Sequence, residues 1–244
     1  MTTYNTHQVT CGACQSASEI TVLTSTNSFG YADLDTRPAS MARNTINSWV
    51  QRCSTCGGCS NNLSDLNQAA YEIIRSKRYV DQLNNKSHPK LASSFICKSI
   101  LEEEQKEFSA ATWSLINAAW SLDDTGSFEL AISARKRSAT MLLDLELRGE
   151  LIAYNKEANS ALLIDLLRRS KDFNRASEII DGRESMLEED IIKKVINFEK
   201  KLISEQNSEC YTIGDAIEFA EGTWNKAKAL TDLHQSRWWE FWKR

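Results

Sequence analysis

Cys11-Gly12-Ala13-Cys14 and Cys53-Ser54-Thr55-Cys56 are two Cys-x-x-Cys pairs, and this spacing lets two thiolates of one tight turn bind the same tetrahedral metal ion. Two such turns make a four-sulfur site, so the pattern predicts one structural Zn²⁺ held by Cys11, Cys14, Cys53 and Cys56. Gly57 follows the second pair and suits the left-handed backbone that a knuckle needs, whereas Gln15 and Ser16 suit it less well. The 38 residues between the pairs exceed the roughly 15–20 of a compact ribbon, which predicts a long insertion between the knuckles. Cys56-Gly57-Gly58-Cys59 is itself a Cys-x-x-Cys. It leaves open a competing ligand register through Cys59, or thiol–disulfide chemistry. Cys97 and Cys210 stand alone and read as small packed hydrophobes.

The elements that must position these cysteines fall into two parts. Residues 1–62 hold the cysteine pairs and four of the nine glycines, with a strand candidate at Glu19–Thr24 and another stretch, Asn47–Arg52, leading into the second knuckle. The loop Phe29–Pro38, with interleaved aromatic and charged residues, is the most distinctive surface candidate, and Arg37 on it is a candidate partner-binding residue. Its alternative role is to pair with Asp35 or to cap the next turn, a short helix around residues 39–46. From Leu63 onward the apolar spacing becomes helical. Trp113, Ile116 and Trp120 mark one buried stripe. Leu187, Ile191, Val195, Phe198 and Leu202 mark another. Turns at Asp123–Ser127 and Ser170–Asp172 join antiparallel neighbours. The expected fold is mainly α, a small zinc ribbon over residues 1–62 followed by an array of helical hairpins over residues 63–244. In the hairpin from Ala158 to Ile180, Phe173 and Ala176 form the large–small pair that locks tetratricopeptide helices together.

Taken together, Leu34-Asp35-Thr36-Arg37-Pro38, Met41, Arg43, Thr45, Trp49, Gln51 and Cys53-x-x-Cys56-Gly57 resemble an uncharacterised prokaryotic protein family with a split zinc ribbon and a tetratricopeptide-like helical back. The resemblance implies zinc ligation by Cys11, Cys14, Cys53 and Cys56 and brings no activity with it.

Charge narrows the function classes. The first 62 residues carry three basic side chains (Arg37, Arg43, Arg52) against three acidic ones, so the net charge of −4 resides in the remainder. Four thiolates around one Zn²⁺ add two negative charges to the ribbon, which argues against a phosphate backbone as its partner. The polar N-terminus lacks a secretory leader and no stretch is apolar enough to span a bilayer, so the expected location is the cytoplasm. Reduced thiols there favour metal over disulfides. No nucleotide-binding or hydrolase motif occurs, the three histidines are scattered, and Glu102-Glu103-Glu104 reads as a solvated helix face. In Arg135-Lys136-Arg137, at least one cation should face neighbouring carboxylates.

The sequence therefore points to a non-enzymatic interaction protein whose helical groove binds a protein partner. A nucleic-acid-associated regulator and a thiol- or zinc-dependent enzyme are the alternatives. In the C-terminal run Arg237–Arg244, the aromatics Trp238, Trp239, Phe241 and Trp242 cannot all share one helix face, so they are candidates for docking to a partner or a second copy, or for contact with a membrane surface.

Overall fold

The computed structural model describes residues 1–226. In chain order these form β1 (Thr3–Thr10), β2 (Ala17–Ser25), β3 (Ser28–Phe29), β4 (Ser40–Met41), β5 (Gln51–Arg52) and β6 (Cys59–Ser60). Nine helices complete the set: α1 (Gln68–Ile74), α2 (Lys77–Leu83), α3 (Lys90–Glu104), α4 (Phe108–Asp124), α5 (Phe128–Leu147), α6 (Lys156–Arg169), α7 (Phe173–Arg183), α8 (Asp190–Ser204) and α9 (Ile213–Ala220). The protein is mainly helical, with a few short antiparallel strands near its N-terminus, as the sequence pattern requires. Among the described residues no helix is long and apolar enough to cross a membrane.

The chain packs as two compact units that do not follow sequence order. Unit 1 holds residues 1–27 and 44–152, and unit 2 holds residues 28–43 together with the chain from residue 153 onward. The boundary expected between residues 62 and 63 falls inside unit 1. The reason is that the knuckles lean on the helices that follow them. The Gly12 N–H donates to the Leu63 carbonyl at 2.9 Å, and the Cys59 N–H donates to the Tyr79 hydroxyl at 3.0 Å. Tyr79, wholly buried on α2, in turn donates to the Gly57 carbonyl at 3.1 Å.

In unit 1, β1 and β2 form an antiparallel hairpin closed by the first knuckle, with Thr10 opposite Ala17. β1 was not legible as a strand, because Thr3-Tyr4-Asn5-Thr6-His7-Gln8 is exposed on both faces and carries no apolar alternation. The second knuckle is bracketed by β5 and β6, with Arg52 opposite Cys59. The expected helix near residues 39–46 is a 3-10 turn at Ala42–Ser48, and it takes up the start of the Asn47–Arg52 stretch. Three-residue connections join α3 to α4 and α4 to α5, so the helices fold back as hairpins. Gly126 takes φ +71° in the second connection. Ala92, Ala119, Ala131 and Ala134 pack with Leu122, and their small side chains let these helices approach closely.

Two charged runs behave differently from one another. Arg135 pairs with Asp123 and Arg137 with Glu103, as expected of that basic run. Glu102, in contrast, is not on a solvated face. It is buried and accepts from Lys98 Nζ at 2.5 Å and from the Ser114 hydroxyl at 2.6 Å, while Lys98 also donates to Ser114 at 2.8 Å. The triad closes on itself, which is how a buried ion pair offsets its lost hydration.

Unit 2 is built on α6–α9 and captures residues 28–43. Leu34 is buried in a core with Ile180, Phe198, Leu202 and Tyr211, where Phe198 and Tyr211 meet edge to face at 5.4 Å. Backbone bonds run from Leu34 N to Tyr211 O and from Ile213 N to Ala32 O, each 2.9 Å, and Asp33 bridges Thr212. The side chains of this segment carry charge inward: Arg169 donates to Asp35 at 2.5 Å and Arg43 pairs with Asp33, all four groups within unit 2. The middle of the stretch between the knuckles, residues 28–43, is thus an element of the helical unit. Of the expected stripe, Val195, Phe198 and Leu202 on α8 are buried and Leu187 and Ile191 half-buried, but Glu199 lies on the same face and is fully enclosed.

Removing one partner of the buried Asp35–Arg169 pair leaves an uncompensated charge, a loss of about 3–5 kcal/mol. Asp35→Ala should destabilise unit 2 by that order in denaturant titration and release the amides of residues 28–43 to hydrogen exchange, with metal content unchanged. Wild-type protection of that segment in the variant would show that the pair does not anchor it.

Candidate metal centre

The two knuckles are the same turn built twice. In each, the N–H of the first cysteine bonds to the carbonyl five residues on, Cys11 to Ser16 and Cys53 to Gly58, both at 2.9 Å. In each, the residue four positions on bonds back to the first cysteine's carbonyl, Gln15 to Cys11 at 2.8 Å and Gly57 to Cys53 at 3.1 Å. That returning residue takes a left-handed backbone, φ +75° at Gly57 and φ +60° at Gln15. Glycine adopts this freely, and at Gln15 the side-chain amide offsets part of the cost by donating to the Gly12 carbonyl at 2.9 Å. A glutamine therefore serves where the sequence pattern favoured glycine.

The turns bring Cys11, Cys14, Cys53 and Cys56 together with all four Sγ atoms within 4.8 Å of one another. Two of the cross-knuckle sulfur separations are 3.6 Å, Cys14–Cys53, and 3.9 Å, Cys11–Cys56. Four sulfurs around one ion at a metal–sulfur distance of ~2.3 Å stand about 3.8 Å apart, so this donor set fits a tetrahedral ion. Cys11 and Cys53 are buried and Cys14 and Cys56 half-buried, which limits water's access to the sulfurs. The four cysteines can hold a metal ion.

The electrostatics of the thiols fit the same role. Burial pushes the Cys53 thiol up, but hydrogen bonds from the Ser16 hydroxyl, the Cys56 and Thr55 N–H groups and the Ser18 hydroxyl outweigh it and bring Cys53 down to about 5. Cys14 is lowered although burial opposes it, through the Ser16 hydroxyl and N–H. Burial raises Cys11 and Cys56, and neighbouring thiols raise both further. Two members of the cluster are thus lowered and the other two raised, chiefly by burial, with the neighbouring thiols adding to the rise. A metal supplies a cation and deprotonates the rest.

Cys59 stands outside the cluster. It is wholly buried, its thiol donates to the Gly57 carbonyl at 3.4 Å, and its backbone is held by Tyr79. The geometry therefore joins Cys53 and Cys56 to the first pair, not Cys56 and Cys59. Cys97 is buried in α3, and the Cys210 thiol lies 3.2 Å from Asp33 Oδ2 in unit 2.

The expected docking residues fare differently. Arg37 is only 5% exposed, and its backbone N–H donates to Asp35 Oδ1 at 3.3 Å, so its side chain does not stand on the surface. It is drawn in with the charged groups that seat residues 28–43. The aromatics of this surface-candidate loop do face solvent, Phe29 at 64% and Tyr31 at 57% exposure. Trp238, Trp239, Phe241 and Trp242 lie outside the described residues. Comparison with protein-family models, with curated proteins and with solved structures finds no match.

Two outcomes test this centre. Metal analysis of Cys53→Ser should show loss of the ion, and Cys59→Ser should keep one ion per chain; the reverse pattern would mean that the ligand register runs through Cys59. A Cβ on Gly12 would lie 1.8 Å from the Leu66 carbonyl oxygen and 2.7 Å from that of Ser64, backbone atoms that cannot swing aside. Gly12→Ala should accordingly lose metal and unfold the first knuckle, whereas a metal-loaded, natively folded variant would refute the close approach.

Proposed function

We propose that this chain is a zinc-binding, non-enzymatic interaction protein, in which the ion folds the knuckles of unit 1 and the helical units present surfaces to a protein partner. The observation that carries the reading is the closed four-sulfur donor set. Four thiolates fill a tetrahedral ion and leave no position for substrate or activated water, which is the mark of a structural rather than a catalytic zinc site. Soft thiolate donors in a tetrahedron suit zinc, with iron as the chief competitor. When bound, the ion supplies positive charge and cross-linking, and the chain's own residues supply the rest: Ser16 and Ser18 hold the Cys53 sulfur, and the knuckle amides orient it.

The partner side of the proposal rests on exposed aromatic surface in unit 2, Phe29 and Tyr31 on the captured segment, together with the aromatic run Trp238–Trp242 of the sequence. Ala176, the small member of the expected large–small pair, is buried on α7, which supports a tetratricopeptide-like α6–α7 hairpin. A cytoplasmic location belongs to the same proposal. A thiol-exchange enzyme is the one competing reading with support of its own, since a Cys53 thiol near 5 is a thiolate at neutral pH.

The zinc-loaded chain should be inert in thiol–disulfide exchange and show no salt-sensitive retention of DNA or RNA on a filter. A chain lacking residues 237–244 should keep its zinc and helical signal while losing a protein that co-purifies with the full chain or losing self-association. Turnover of a disulfide substrate by the loaded chain would instead establish the thiol enzyme, and salt-dependent retention the nucleic-acid reading.

A further inference from the structure

Glu199 sits on the apolar face of α8 between Phe198 and Leu202, with no part of it exposed. Asp165 on α6 is equally enclosed at 1% exposure, and one guanidinium joins the two. Arg168 donates from Nη2 to Asp165 Oδ1 at 2.5 Å and from Nε to Glu199 Oε2 at 2.6 Å. Its Nη1 is committed elsewhere, to the Asn207 and Glu209 carbonyls at 2.9 and 2.8 Å. The other oxygen of each acid, Asp165 Oδ2 and Glu199 Oε1, is buried without a hydrogen-bond partner.

Among the described residues, the surroundings give these two oxygens no hydrogen bond from a second cation. Arg169, next along α6, is paired with Asp35. From the loop before α9, Glu209 contributes only its carbonyl to Arg168, its side chain being exposed, and the Tyr211 hydroxyl accepts from Asn207 at 2.9 Å. Asp215 on α9 is occupied with the Thr212 N–H and hydroxyl. α7 contributes Ile180 to the apolar wall. Two ionised carboxylates on one guanidinium would leave a net negative charge and two bare acceptors in a dry core, each costly. One proton resolves both, because a carboxylic O–H on Glu199 supplies the donor that the neighbouring bare Asp165 oxygen lacks.

We infer that Glu199 keeps a proton at neutral pH and directs it at Asp165 Oδ2, making the α6–α8 contact of unit 2 a buried proton-binding site that weakens as the pH rises. The shift of Glu199 agrees: burial pushes it up, Arg168 opposes, Asp165 beside it adds to the rise, and the carboxyl arrives at about 8. A glutamate in the unfolded chain titrates near 4.3. Between those values the folded chain holds one proton more than the unfolded chain. Folding stability therefore falls as pH rises from about 5 to about 8, by up to about tenfold in the folding equilibrium per pH unit, and levels off above.

The test uses the full metal-loaded chain. Infrared spectra at pH 7 should contain a protonated-carboxyl C=O band that disappears in Glu199→Gln and also in Asp165→Asn. Denaturant titrations across pH 5–8 should show a shallower loss of stability for Glu199→Gln than for wild type, since the amide keeps the donor but cannot titrate. Contributions of the cysteine centre are common to both chains and cancel in the difference. Should Glu199→Gln fail to fold, Asp165→Asn takes its place, and the infrared band of the wild type decides by its presence or absence if neither folds. Parallel pH curves for wild type and variant, or no protonated-carboxyl band at neutral pH, would overturn the inference.

Discussion

Four sulfurs within 4.8 Å of each other are the constraint on which unit 1 is built. They come from two turns separated by 38 residues, which Ser16 and Ser18 also link through hydrogen bonds to the Cys53 sulfur and to Ser54. Charged, they repel; protonated, they are weak hydrogen-bonding groups with little reason to converge. An ion turns this liability into a cross-link. Closing a loop of about 40 residues removes roughly 4 kcal/mol of unfolded-chain entropy if the cross-link acts as a disulfide would. A hairpin as short and polar as β1–β2 needs such help, because isolated two-stranded ribbons are marginal in water.

The chain between the two knuckles does not stay in the unit they define. It contributes residues 28–43 to unit 2, where Leu34 enters the core and Asp33 and Asp35 meet Arg43 and Arg169. A closed loop whose middle is a structural element of another unit is a more demanding topology than a ribbon with a surface insertion. Asp33, Asp35 and Arg43 of this segment are spent on that placement, and Arg37 is buried beside them. Unit 2 thus relies on inward-facing charge where unit 1 relies on thiols. In both, groups costly to bury are made tolerable by partners distant in sequence.

How much of this was legible follows from whether the information is local. Cys-x-x-Cys is a complete instruction within four residues, and the spacing of Val195, Phe198 and Leu202 announces the buried face of α8, whereas on α4 Trp113 is half-buried and Ser114 and Ala118, off the expected stripe, are fully buried. The left-handed Gln15 was not legible, because its compensation comes from an amide–carbonyl bond that only the folded turn creates. β1 escaped notice because a strand exposed on both faces has no alternation to read. Glu102 and Glu199 were equally opaque: a glutamate on a helix normally seeks water, and the partners that change this, Ser114 for one and Arg168 for the other, lie 12 and 31 residues away. The capture of residues 28–43 depends on Leu34 meeting Tyr211, a pairing that no short-range pattern encodes.

The central claim is that one metal ion joins the two knuckles through sulfur alone, and X-ray absorption at the metal edge of the purified full-length chain tests it most directly. Four sulfur scatterers at ~2.3 Å and no nitrogen or oxygen neighbour are the predicted result. A first shell with fewer than four sulfurs, or with water or imidazole in it, would contradict the closed site and the structural role built on it.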